Sequence, residues 1–218
     1  NFSVVINHLT PPISSVIKVI SAKLSNKRTP GDQQQIADHL SFAEASIKEL
    51  YLEPRAKISS QARKAILKAD YLIFAPGHFF TSVLPHLYVR GFAQAWKKSK
   101  EKKIWFVNLL AHRGQDSFYT LRDYLRWFER SLGQRPFDVL VINKDIAPKT
   151  LNIVKDRFEK IKVTEDDLRY VEKEKMKIVK ADLVSLALRP QEKNDTIMRA
   201  PLRHDAMKVR KFFSSFFK

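Results

Sequence analysis

Two short segments of this sequence carry residue types suited to ligand chemistry. The first reads Ala75-Pro76-Gly77-His78-Phe79-Phe80-Thr81-Ser82 and lies between an apolar run and a helical pattern. Gly77 permits a backbone conformation, or a close ligand approach, that a Cβ would forbid. Ser82 suits a helix N-cap, because Pro85 then falls in the first turn, where its missing N–H costs little. Thr81 is the poorer cap, since it pushes Pro85 one position deeper. A helix start with free N–H groups and two hydroxyls takes phosphate or carboxylate. The plainer reading stands beside it: Pro76-Gly77 makes a tight turn and Ser82 only caps.

The second segment, Asn108-Leu109-Leu110-Ala111-His112-Arg113-Gly114-Gln115-Asp116, follows another apolar run. Asn108 can hydrogen-bond a ligand or close an Asx turn. His112 and Arg113 suit an anion, and Asp116 can accept from a ribose or other hydroxyl. Near the C-terminus, Arg203 can fork onto a phosphate or carboxylate, or pair with Asp205.

Other chemistries find less support. The six histidines show no HxH or HxxxH spacing, and cysteine is absent, so no thiolate or histidine metal site is expected. No GxSxG elbow, Walker loop or GxGxxG fingerprint occurs. The apolar runs are too short to cross a bilayer, and no signal peptide is expected, since no charged segment followed by an apolar stretch opens the sequence. A reducing, cytoplasmic setting is the expectation. The chain starts at Asn1, and a segment upstream is expected.

Charge is strongly one-sided: 40 basic against 23 acidic residues give +17 over 218 residues. Such a field attracts polyanions, whether nucleic acid, phosphorylated small molecules or an anionic membrane surface. The densest run, residues 97–103, is Lys-Lys-Ser-Lys-Glu-Lys-Lys. It reads as a solvated helix end, with a functional basic patch as the alternative. Trp96 and Trp105 sit in helix and strand core positions, not on a base-stacking platform.

The elements that must position these segments follow from periodicity. Apolar stretches at 16–24 and 47–52 read as strands, with polar loops at 26–31 and 32–41 between them. Residues 59–69 put Ala62, Ala65, Ile66 and Ala69 on one helical face. Residues 71–75, 104–107 and 138–142 are continuously apolar, as in strands buried on both faces. One helix is expected over roughly 82–98. Another is marked by Phe118, Leu121, Leu125, Phe128 and Leu132, and a further one by Leu151, Val154 and Phe158. A last strand at 177–180 precedes a terminal amphipathic helix at 206–218, expected to dock on its own sheet. Strands alternating with helices give an α/β class: a three-layer, doubly wound arrangement with a mainly parallel sheet covered on both faces, read as a single domain over 1–218.

Several stretches go beyond periodicity. AILKADYLIFAPGHFFTSVLPHL at 65–87 resembles A-I-x-x-A-D-x-I-x-x-G-P-G-x-x-Y-T-S-x-x-P-x-L of the bacterial gluconeogenesis factors, a branch of the CofD-like superfamily. NLLAHRGQD at 108–116 is similar to their N-L-M-T-x-x-G-E-T, and DVLVIN at 138–143 to their D-V-V-L-V-N. KADL at 180–183 and LRHD at 202–205 resemble R-A-D-L and V-R-H-D. Order and intervals agree from about Ile47 onward.

This resemblance implies a Rossmann-like fold and a nucleotide-containing ligand, a UDP-sugar or a dinucleotide such as NAD. The candidate ligand-binding residues are Pro76, Gly77, His78, Thr81, Ser82, Asn108, Asp116 and Arg203. The leading expectation is a regulator of carbon metabolism and cell shape without turnover; catalytic residues are not assigned, and a homo-oligomer is compatible. The alternative is a 2-phospho-L-lactate transferase-like enzyme of coenzyme F420 synthesis, with Mg²⁺ held by carboxylates upstream. Gly77-His78 in place of that branch's S-N favours the gluconeogenesis-factor side. A basic nucleic-acid-binding protein on a degenerate scaffold comes third. The family's opening glycine-rich loop and A-D-D-G-G-S segment have no counterpart here, so the chain is read as the C-terminal two-thirds. Val4 to Thr10 then match a mid-chain V-I-P-V-T strand.

Overall fold

Short apolar runs set between amphipathic helices dictate the sheet. The computed structural model describes residues 4–6, 16–21, 47–113, 116–133, 135–185, 187 and 202–216. In chain order, β1 (Val4–Ile6), β2 (Val16–Ser21) and β3 (Ile47–Glu53) precede α1 (Ser60–Lys68) and β4 (Tyr71–Phe74). A π turn (Phe79–Val83) and a 3₁₀ turn (Leu84–Tyr88) lead to α2 (Phe92–Lys98), β5 (Lys102–Phe106) and β6 (Leu110–His112). Then come α3 (Leu121–Leu132), β7 (Val139–Asn143), α4 (Pro148–Val154), β8 (Phe158–Lys160), α5 (Glu165–Lys173), β9 (Lys177–Ala181) and α6 (Ala206–Phe216).

Five strands form one parallel sheet in the order β1-β4-β5-β7-β9. From β4 to β9 each new strand adds on the same side. Right-handed crossovers then put the connecting helices on one face. That face buries Leu72, Phe74, Trp105, Leu140 and Ile142 against α1, α2 and α3. The alternate residues Ile73, Ile104, Phe106, Val139 and Val141 meet Val209, Phe212, Phe213 and Phe216 of α6 on the other. The expected α/β class and parallel sheet are therefore present, and α6 docks on its own sheet; the expected doubly wound arrangement is not, because the strands from β4 to β9 add in one direction and the second face is covered by the terminal helix. Two antiparallel pairs stand apart from it, β2 with β3 and β6 with β8.

Several expected elements differ. The helix expected over 82–98 is three pieces. Pro85 has no N–H to give, and the backbone closes a π turn before it, with Leu84 N–H donating to the Phe79 carbonyl. Gly91, at φ +91°, then reverses the chain before α2, and an added Cβ would sit 2.9 Å from Ile58. Phe118 lies outside α3 and is 47% exposed. Phe158 belongs to β8, not to a helix: its ring faces His112 at 4.9 Å, so a strand pairing holds it. The loops expected at 26–31 and 32–41 lie outside the described residues, as do Asn1, residues 7–10, Gly114 and Gln115.

One buried carboxylate ties the helical layer together. Asp167, 1% exposed, accepts from Thr164 N–H and Oγ1, Thr120 Oγ1 and Arg122 N–H at 2.6–2.9 Å. It thereby joins the first turns of α3 and α5. A buried charge needs such partners.

Candidate functional site

The chain leaves β4 at Ala75 and reaches Pro76 and Gly77; it leaves β5 at Val107 and reaches Asn108. Because the two strands are parallel neighbours, both exits emerge on the carboxyl rim of the sheet. Asn108 joins them. Its Oδ1 accepts from Gly77 N–H at 3.1 Å, and its Nδ2 donates to the Gly77 carbonyl at 2.8 Å. One carboxamide thus satisfies both polar groups of a residue 31 positions away. A Cβ on Gly77 would stand 3.2 Å from the Ser82 Cβ, so the turn is tight as well as clamped.

Past Gly77, the half-buried His78 ring lies 6.2 Å from His112, edge to face. Its Nδ1 is 3.0 Å from Thr81 Oγ1, and Thr81 itself is 5% exposed. His112 Nδ1 meets the Arg113 carbonyl at 3.1 Å. The rim therefore gathers a glycine turn, two imidazoles, a hydroxyl and an amide. Pro76 is exposed at its edge.

Ser82 is not an N-cap. The turn starts at Phe79, and Ser82 and Val83 both donate their N–H to the His78 carbonyl, at 2.8 and 3.2 Å. The N–H groups of Gly77, Ser82 and Val83 are thus already engaged.

Arg113 turns away to β8: its Nε donates to the Lys155 carbonyl at 2.5 Å and its guanidinium pairs with Glu159 at 2.7 Å. Asp116 is directed into the base of the loop. It is 5% exposed and accepts from His112 N–H at 2.6 Å, while Tyr124 donates to its backbone carbonyl. Burial pushes its carboxyl up to about 6, with the His112 hydrogen bond opposing. A carboxyl buried beneath the loop and bonded to the His112 backbone positions His112.

Arg203 reaches the same rim through β7 and β9. Its carbonyl accepts from Ser185 N–H at 2.8 Å, and Asp205 N–H donates to the Leu183 carbonyl at 2.7 Å. Asp205 caps α6, its Oδ1 taking the N–H groups of Met207 and Lys208 at 2.9 Å. Beside Arg203, the His204 Nε2 is sealed from solvent with no hydrogen-bond partner among the described residues, and burial pushes its imidazole down to about 4. The sequence reading did not single out Asn143, which repeats the Asn108 device at the end of β7. Its Oδ1 accepts from Leu183 N–H at 2.7 Å. The available signal was an Asn after an apolar strand, as at Asn108.

A one-directional parallel sheet whose carboxyl-end loops are clamped to each other defines a Rossmann-like α/β protein with its candidate site on that rim. The sequence model of the family described as 2-phospho-L-lactate transferase CofD matches residues 5–184, and the chain belongs to this CofD family. It is similar to the gluconeogenesis factor of Halalkalibacterium halodurans, 30% identical over 126 residues, covering 56% of this chain and 39% of that protein. The gluconeogenesis factor of Bacillus subtilis is 23% identical over 199 residues, covering 91% of this chain and 58% of that protein. A crystal structure of a UPF0052 family member from Bacillus halodurans matches with a TM-score of 0.70 at 24% identity, covering 91% of this chain and 58% of that one. The chain thus spans 39–58% of the length of these relatives.

Proposed function

We propose that this chain binds a nucleotide-containing small molecule, a nucleotide sugar or a dinucleotide, on the carboxyl rim, and acts as a regulator without turnover. The observation that carries the reading is the double hydrogen bond between Asn108 and Gly77. It spends a polar side chain on holding the two strand exits together, and so fixes a turn, beside His78 and His112, that a Cβ would crowd. In this reading the Pro76–Ser82 turn and His112 take the phosphate end, Arg203 adds a guanidinium from the β9 side, and Asp116 holds the loop. The gluconeogenesis-factor names of the relatives support a place in carbon metabolism; regulation of cell shape and a cytoplasmic setting are part of the same proposal.

The family description favours a second reading, transfer of a phospholactyl-type group from a nucleotide diphosphate. That chemistry uses Mg²⁺. Among the described residues no group of three His, Asp or Glu side chains gathers, and no step is assigned to the ion.

The experiment is a thermal-shift panel of UDP-sugars, NAD and guanine nucleotides. A ligand of the folded state raises the midpoint, by about 2.7 kcal/mol of added stability at a hundredfold excess over Kd. Gly77→Val and Asn108→Ala should abolish the rise, while Arg113→Ala should keep it. A Gly77→Val protein that folds and still responds like the parent would sink the assignment. Release of nucleotide product in the presence of Mg²⁺ would favour the transferase.

A further inference from the structure

The opposite rim of the sheet carries a different chemistry. At the amino ends of the strands, Lys97 and Lys98 close α2, Lys100 and Lys102 open β5, and Lys175 and Lys177 open β9. All six are exposed. Backbone bonds knit these segments into one edge: Asp138 N–H donates to the Lys103 carbonyl and Lys177 N–H to the Asp138 carbonyl, each at 2.8 Å. The sequence run at 97–103 is thus extended by lysines some 75 residues away. Some cations elsewhere are matched, Arg113 with Glu159, Arg122 with Glu129, Lys160 with Asp145 and Lys208 with Asp182. None of the six rim lysines has an acid partner among the described residues. The nearby Asp138 is already committed to Lys103 N–H and Arg135.

A bland account exists for part of this. Cations in the last turn of a helix complement its dipole, which covers Lys97 and Lys98. Lys100, Lys102, Lys175 and Lys177 lie outside helices, and that account does not reach them.

We propose that this amino rim is a docking surface for the phosphate backbone of duplex nucleic acid, distinct from the carboxyl-rim site. Neighbouring strands are about 4.8 Å apart and Lys177 is level with Ile104, two residues along from Lys102, so Lys102 and Lys177 stand roughly 12 Å apart, and their stems reach several phosphates. A single-strand platform would need exposed rings, but Trp96 and Trp105 are 4% and 3% exposed. An anionic membrane would be favoured by apolar anchors among the lysines, yet the most exposed large apolar residues, Ile153 and Met207, belong to α4 and α6. Their starts follow the carboxyl ends of β7 and β9.

The test is fluorescence anisotropy with a 20-base-pair DNA duplex of mixed sequence across a salt series. Binding should weaken steeply with salt, and Lys97/Lys98/Lys100/Lys102→Ala should flatten the log–log slope by about three to four and weaken binding at least tenfold. Lys144/Lys149/Lys155/Lys211→Ala removes equal charge from exposed positions elsewhere and should change affinity less than threefold. Equal weakening in both variants would overturn the proposal, because net charge would then suffice. So would tighter binding to a single strand, or binding only to phosphatidylserine vesicles. A UDP-sugar thermal shift that survives in the rim variant keeps this outcome separate from that of the carboxyl-rim site.

Discussion

The sheet is covered by unlike means on its two faces. On the first, rings interlock: Phe128 lies 4.8 Å from Phe137, 5.0 Å from Trp105 and 5.3 Å from Phe74, mostly edge to face. Phe79 and Phe80 carry the network into the turn that follows Gly77, where Phe79 meets Tyr124 at 4.7 Å. On the second face α6 is the one helix among the described residues; Phe212 and Phe213 touch Phe106 at 5.7 and 5.3 Å, yet no residue of the helix is fully buried. Both faces use aromatic area, but only the first seals it from water on every side. The first face should set global stability and the second should open by itself. The candidate site draws its rigidity from the first, since the turn that holds it is rooted there.

The largest expected effect breaks the first face. Phe128 is fully buried, and Phe128→Ala should cost about 3–5 kcal/mol, lost transfer energy plus the cavity left behind. Urea unfolding measures it. A cost under about 1 kcal/mol would mean that the ring network relaxes freely, and the contrast between the faces would fail.

Acid titration sharpens the contrast next. The Asp116 carboxyl, beneath the first face, titrates at about 6 when folded against an ordinary 3.8. The folded state therefore holds a proton that the unfolded chain releases, and stability falls as pH rises from about 4 to 6, by about 3 kcal/mol. His204, at the entry to α6, titrates at about 4 against 6.5. Here the unfolded chain takes up the proton first, so stability falls as pH drops from about 6.5 to 4. Between pH 4 and 6 the two slopes oppose. Asp116→Asn keeps an oxygen acceptor for His112 N–H and should make acid destabilisation steeper than in the parent. His204→Gln should make it shallower. Denaturation at pH 4.5, 5.5, 6.5 and 7.5 decides, and parallel profiles in all three proteins would refute the assignment.

The sequence made some of this visible and hid the rest for physical reasons. The continuously apolar runs of β4, β5 and β7 are a local property, and so is the Leu121, Leu125, Phe128, Leu132 face of α3; both were readable from the order of residues alone. The β6–β8 pair was not, because three-residue strands leave too few positions to show alternation. The split of the expected 82–98 helix was signalled by Pro85 and Gly91, yet the apolar text around them hid the break. At the site, residue types pointed to the two strand exits, and strand adjacency brought them together. Which side chains face a ligand and which serve the loop, as Asp116 and Arg113 do, is decided by partners some four to forty positions away. Asp167, a charge at the seam of α3 and α5, shows in the sequence only as one more acid in DD. Its burial is wholly tertiary.

The smallest expected effect isolates the second face. Asp205 accepts from the first N–H groups of α6, and Lys208 Nζ fastens the same turn to Asp182 and the Val184 carbonyl at 2.9–3.0 Å. Asp205→Ala leaves the first N–H groups of α6 without that acceptor and should cost about 1 kcal/mol. Because α6 packs with half-buried rings, that loss should fall on local opening. Amides of residues 209–216 should exchange several-fold faster, while those of α3 keep the parent's rate. If α3 loses protection in step with α6, the two faces unfold as one unit. The terminal helix would then be an integral layer of the fold, not a cover laid over a sheet already held from the other side.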